Sequence, residues 1–103
     1  MGQWVKVSNI KDIQPGSAVQ VDVQGKKIAV FNINGKYYAL DDECTHAGGS
    51  LAEGEITGMT VACPWHGAKF DIEGGGALSA PAFEPVNHYK VQVKGEDIQI
   101  EIP

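Results

Sequence analysis

The chain has 103 residues, with eight lysines and no arginine against 13 acidic side chains, for a formal net charge of −5. That length predicts one domain with a modest core, and the charge excludes a protein that grips nucleic acid or an anionic membrane. With 43% apolar and 20% charged residues, the composition is that of a folded chain.

No apolar run approaches the ~20 residues that span a bilayer, and Met1-Gly-Gln-Trp-Val-Lys6 lacks the apolar stretch of a signal peptide. The expectation is a cytoplasmic monomer. Ser8–Gln14, ended by Pro15-Gly16, predicts one helical turn with Ile10 and Ile13 inward. Val19, Val21 and Val23 alternate with Gln20, Asp22 and Gln24, the period of a half-buried strand. Gly25-Lys26 reads as a tight turn into a strand over Lys27–Ile33. Asn34-Gly35 reads as a type I′ hairpin turn, since both residues tolerate positive φ, and leads into Tyr37–Leu40.

From about Glu43 to Phe83 the chain changes character: it is Gly-rich and holds both cysteines and two of the three histidines. Beyond it, His88–Val93 and Asp97–Ile102 are predicted to pair across Lys94-Gly95-Glu96, with Val91 and Val93 facing Ile98, Ile100 and Ile102. No long helix is visible. The predicted fold class is all-β: residues 1–103 as a single domain, in which 1–42 and 84–103 build a small antiparallel barrel or sandwich base. On that base sits a loop-built insert at about 43–83.

Two segments of the insert carry chemistry: Cys44-Thr45-His46 and Cys63-Pro64-Trp65-His66. Each offers one thiolate and one imidazole, the usual protein donors to zinc, copper and iron–sulfur centres. Gly48, Gly49 and Gly67 flank them, and glycine lets a backbone turn sharply and approach a metal closely. In a reducing compartment two cysteines point to metal or redox chemistry rather than a disulfide. A single zinc held by two Cys and two His is the first rival, and it would make this a zinc-stabilised binding module. Common zinc sites pair like with like, whereas each segment here is mixed. That arrangement fits a binuclear cluster better, with both thiolates on one iron and both imidazoles on the other.

Cys-x-His, 16 intervening residues and Cys-x-x-His resemble the Rieske cluster-binding motif. The longer strings Cys44-Thr-His-Ala-Gly-Gly-Ser-Leu51 and Cys63-Pro-Trp-His-Gly-Ala-Lys-Phe-Asp71 match it closely, and the flanking strands fit as well. The chain is most similar to the soluble Rieske ferredoxins that serve bacterial aromatic-ring oxygenases. The resemblance implies one [2Fe-2S] cluster per chain, with Cys44 and Cys63 on the inner iron and His46 and His66 on the outer iron. It implies an electron carrier rather than an enzyme, fed by an NAD(P)H-dependent flavoprotein reductase and discharged by a terminal dioxygenase or monooxygenase. The small subunit of an assimilatory nitrite reductase shares the fold and is the rival within the same chemistry.

Ser79-Ala-Pro81-Ala is then the third, covering loop, with Gly74-Gly75-Gly76 before it as a mobile turn. Respiratory members of the family carry a disulfide where this chain has Gly49 and Trp65, and a serine and a tyrosine where it has Ala68 and Phe70. Their absence implies a low reduction potential.

The remaining residues divide less sharply. His88 has no Cys nearby and reads as structural or solvent-facing. Trp65 either lines a docking face or packs over the cluster. Asp41-Asp42-Glu43, and the pair Glu53 and Glu55, read equally as solvated acids or as part of a docking rim.

Overall fold

The structure, a computed structural model, describes residues 2–43, 50–64, 68–78 and 85–102. They form three antiparallel sheets. β1 (Gln3–Asn9), β10 (Asp97–Ile102) and β9 (Val91–Lys94) make the first, in the order β1-β10-β9. β2 (Ser17–Val23), β3 (Lys26–Ile33), β4 (Lys36–Asp41) and β8 (His88–Tyr89) make the second, in that order. β5 (Glu55–Thr57), β6 (Thr60–Ala62) and β7 (Lys69–Asp71) make the third. The all-β class read from the sequence holds, and no helix among the described residues is long and apolar enough to cross a membrane.

The second sheet is the middle layer, and β3 shows why. Its run Ile28-Ala-Val-Phe31 is completely buried, as a strand covered on both faces must be. Ile28 and Val30 point to one core with Ile13, Val23, Ala39, Ile98 and Ile100. Ala29 and Phe31 point to the other, with Leu40, Leu51, Val61, Cys63, Ala68, Phe70, Ile72 and Val86. The insert is therefore more than loops. It brings a sheet of three-residue strands, and its apolar residues complete a core shared with the base.

Several boundaries differ from the sequence reading. The first hairpin turns at Gln24-Gly25 (φ 53° and 82°) rather than Gly25-Lys26; Asn34-Gly35 turns as expected, at φ 54° and 88°. The helical turn is a single 3-10 turn, Ile10–Asp12, capped by Asn9 Oδ1 accepting from the Lys11 N–H, and Ile13 just beyond it is buried. The strand expected over His88–Val93 divides at Lys90: β8 pairs with β4, whereas β9 pairs with β10. Val93 and Val91 sit opposite Ile98 and Ile100 as predicted, but Ile102 runs past β9 and pairs with Gln3.

Candidate metal centre

Of the four sequence-predicted ligands, Cys63 falls among the described residues; Cys44, His46 and His66 lie outside them, as do Trp65, Gly49 and the Ser79–Pro81 loop. Cys63 is 2% exposed and free of any disulfide. It leaves the end of β6, and its N–H donates to the Ala68 carbonyl at 2.7 Å, one step beyond the Ala62–Lys69 pair of the β6–β7 ladder. The β6–β7 ladder therefore extends to Cys63 and Ala68, the described residues between which the segment carrying His66 lies in the chain. Leu51, Val61, Ala68 and Phe70 share the core with Cys63.

Described residues that flank the other two segments join the same core. Glu43 and Ser50, which bracket residues 44–49, form an antiparallel bridge. The Leu51 N–H then donates to the Asp42 carbonyl at 2.7 Å, and Leu51 is buried with Cys63. Residues 79–84 are bracketed by Leu78, whose N–H donates to the Lys69 carbonyl at 2.8 Å, and by Val86, whose N–H donates to the Gly75 carbonyl at 2.9 Å. Val86 belongs to the same core. The fold therefore brings described residues that flank all three motif-bearing segments to one apolar centre, and a thiol is buried in it.

The triple glycine before the third segment opens in a turn, as expected, and then packs closely. Asp71 accepts from the Glu73 and Gly74 N–H groups, and Gly75 is buried against Val86 at φ 75°. A side chain there would overlap the Val86 carbonyl, so the tripeptide is used for close approach.

The acidic run divides as well. Asp42 is buried, accepting from Gln20 Nε2, Ser50 Oγ and the Ala52 N–H. Asp41 accepts from Tyr89 Oη and Asn87 Nδ2 and lies 3.7 Å from Lys26 Nζ. Burial first, and then the bond to Asp41, push the Tyr89 phenol above its ordinary range. The hydrogen bond with Tyr89, then the Asp41 charge, holds Lys26 above its own. Only Glu43 of the run is exposed, so Asp41 and Asp42 are structural acids. Glu53, Glu55 and Glu73 are exposed on the insert. His88 is exposed on β8, lining a groove of about 730 Å³ with Lys26, Tyr89, Lys90 and Glu101. That placement agrees with a solvent-facing role.

Sequence reading missed the burial of Asp42 and the close approach at Gly75. The partners of Asp42 lie up to 22 residues away, and nothing local signals them.

The Rieske [2Fe-2S] domain model matches residues 3–90. The 3-phenylpropionate/cinnamic acid dioxygenase ferredoxin subunit of Escherichia coli K12 is 40% identical over 91% of this chain and 89% of its own. The ferredoxin of carbazole 1,9a-dioxygenase from Nocardioides aromaticivorans IC177 superposes with a TM-score of 0.91 at 29% identity, over 95% of this chain and 96% of that one. A ferredoxin solved in complex with the oxygenase of carbazole 1,9a-dioxygenase is 35% identical, with a TM-score of 0.88, over 94% of this chain and 91% of its own. Chains named as nitrite reductase small subunits share the fold at 22–23% identity, a likeness of fold alone.

Proposed function

This chain belongs to the Rieske [2Fe-2S] domain family, and from that premise we propose that Cys44, His46, Cys63 and His66 hold one [2Fe-2S] cluster per chain. The chain is an electron-transfer ferredoxin of the aromatic-ring dioxygenase type, not the component that transforms the substrate. Its electron donor is a flavoprotein reductase using NAD(P)H and its acceptor a terminal oxygenase, and it works as a cytoplasmic monomer. Residues 1–103 act as one domain, since the insert at 43–83 completes the core of the base.

The donor set fits the group. Two thiols and two imidazoles satisfy a Rieske centre and leave no protein ligand missing. The observation that carries the reading is Cys63: a buried, unbridged thiol at the end of the β6–β7 ladder, with the flanks of the other motif segments anchored in its own core. When bound, the cluster supplies a one-electron couple, raised above that of a four-thiolate cluster because two of its ligands are neutral. The residues around Cys63 exclude water from its sulfur, and the Cys63–Ala68 bond continues that ladder to it.

The complex of an oxygenase with a ferredoxin 35% identical to this chain supports the acceptor. A nitrite reductase role has only a shared fold behind it. The test is direct: purified protein should contain two irons and two acid-labile sulfides per chain, be reddish-brown, and bleach with dithionite. Alanine at Cys44, His46, Cys63 or His66 should abolish the colour, while His88→Ala should keep it. About one zinc and no sulfide would overturn the reading in favour of the zinc module.

A further inference from the structure

At the foot of the first ligand-bearing segment sits a buried carboxylate with no ion-pair partner among the described residues. Asp42 is 2% exposed. Its Oδ1 accepts from Ser50 Oγ at 3.0 Å and from the Ala52 N–H at 2.9 Å, and its Oδ2 accepts from Gln20 Nε2. Its backbone is occupied too: the N–H donates to the Lys27 carbonyl at 3.0 Å, and the carbonyl accepts from Leu51 at 2.7 Å. One residue thus joins β2, β3, the end of β4 and the 3-10 turn Leu51–Glu53.

An isolated carboxylate is costly to bury, and here that cost is offset by bonds of one kind. Both of its oxygens find donors, so neither is left unpaired in the interior. Two of the three side-chain bonds reach across to the far end of residues 44–49, and the third fixes the carboxylate against β2. The alignment of Glu43 with Ser50 is the visible result.

We propose that Asp42 is a positioning residue for the metal centre. It closes the segment between Glu43 and Ser50 so that Cys44 and His46 are presented to the cluster together. This rests on the ligand set proposed above and goes beyond it, because Asp42 is not itself a ligand. The action is through hydrogen-bond geometry. Asparagine can preserve that geometry: its oxygen serves Ser50 and Ala52, and its amide meets Gln20 once the Gln20 amide turns over.

The experiment compares cluster-loaded wild type with Asp42→Ala, Asp42→Asn and Ser50→Ala. The readouts are iron and sulfide content, the EPR g-values after dithionite reduction, and the half-life of the visible bands in excess chelator. Asp42→Ala should shift the g-values and lose its cluster about tenfold faster, the lower end of what losing a ligand-orienting group costs. Asp42→Asn should stay within about twofold of wild type, and Ser50→Ala, which removes one donor, should fall between. Unchanged half-life and g-values in Asp42→Ala would overturn the proposal, as would Asp42→Asn being as damaged as Asp42→Ala. If Asp42→Ala does not fold, a Ser50→Ala variant indistinguishable from wild type overturns the proposal in its place. A wild type without iron and sulfide would overturn the ligand set instead.

Discussion

Gly75 and Val86 press backbone against backbone: the Val86 N–H donates to the Gly75 carbonyl at 2.9 Å, and the Val86 carbonyl fills the space a Gly75 side chain would need. Together they fix the stem from which residues 79–84 depart.

Gly75→Ala should therefore be among the most damaging single-methyl additions to this chain. It combines positive φ with a backbone overlap, and its expected cost is roughly 2–4 kcal/mol. In a domain of this size that lowers the thermal midpoint of the cluster-loaded protein by roughly 10–20 °C. Gly16→Ala is the control. Gly16 has a similar φ of 82° with nothing within 4 Å of the new methyl, so it should cost about 1 kcal/mol. Equal midpoints for the two variants would show that the overlap is relieved by a small shift.

Exposed acids gather on the insert. Across residues 43–83 the sequence places Glu43, Glu53, Glu55, Asp71 and Glu73 against the single lysine Lys69. Glu43, Glu53, Glu55 and Glu73 are exposed, while Asp41 and Asp42 are engaged internally. A partner with a basic docking face should be steered by the four exposed residues. Changing them together to Gln should cut the rate of reduction by the reductase about tenfold at low salt. The wild-type rate should fall toward the variant's as ionic strength rises past about 0.1–0.15 M, where screening acts beyond roughly 8–10 Å. Stopped-flow reduction over a salt series decides it, and a rate indifferent to both salt and substitution would confine these acids to solubility.

Ala68 and Phe70 are both completely buried beside Cys63 in the core. Neither side chain can donate to a sulfur, and reduction adds negative charge that such a donor would stabilise. The midpoint potential should lie toward the bottom of the ~−150 to +300 mV Rieske span. Ala68→Ser and Phe70→Tyr should each raise it by tens of millivolts, where about 59 mV corresponds to a tenfold change in a one-electron equilibrium. A hydroxyl that finds no acceptor would instead cost about 1–3 kcal/mol of stability, so voltammetry should be read beside a crystal structure of each variant.

Stability should fall in alkali. Tyr89 titrates above its ordinary value near 10 because burial, and then its bond to Asp41, favour the neutral phenol. Lys26 is likewise raised through Tyr89 and Asp41. A group whose folded pKa is raised contributes stability that is complete below its unfolded pKa and is lost as pH climbs through the folded one. Urea midpoints should thus hold steady from about pH 7 to 9 and drop beyond about 10. Tyr89→Phe, starting less stable at neutral pH, should show a shallower drop.

What the sequence makes legible is whatever it encodes locally. Asn34-Gly35 announces its turn because both residue types accept positive φ. Gln24 takes the same conformation without announcing it, so the sequence reading sets the first turn one residue too late. The division at Lys90 leaves no mark, because a strand that changes sheets keeps its alternation through the change. The strands of the third sheet are three residues long, too short for a period to register. The Cys-x-His and Cys-x-x-His spacings are legible because each sets two donor residue types within four positions of sequence. The buried state of Asp42 is not, because its donors come from Gln20, Ser50 and Ala52, and only the folded chain assembles them.

The paired anchors have an evolutionary reading. Two of the three motif-bearing segments are flanked by residues that are neighbours, Glu43 beside Ser50 and Cys63 beside Ala68; the third is flanked by Leu78, bonded to Lys69 of β7, and by Val86, bonded to Gly75. A segment tied off in this way can be lengthened, shortened or rewritten without moving its ends, and lengthening it costs only slowly rising closure entropy. The flanking frame can then stay constant while the sequence between the anchors varies. Exchanging these segments between homologues should accordingly leave the three sheets and both cores standing.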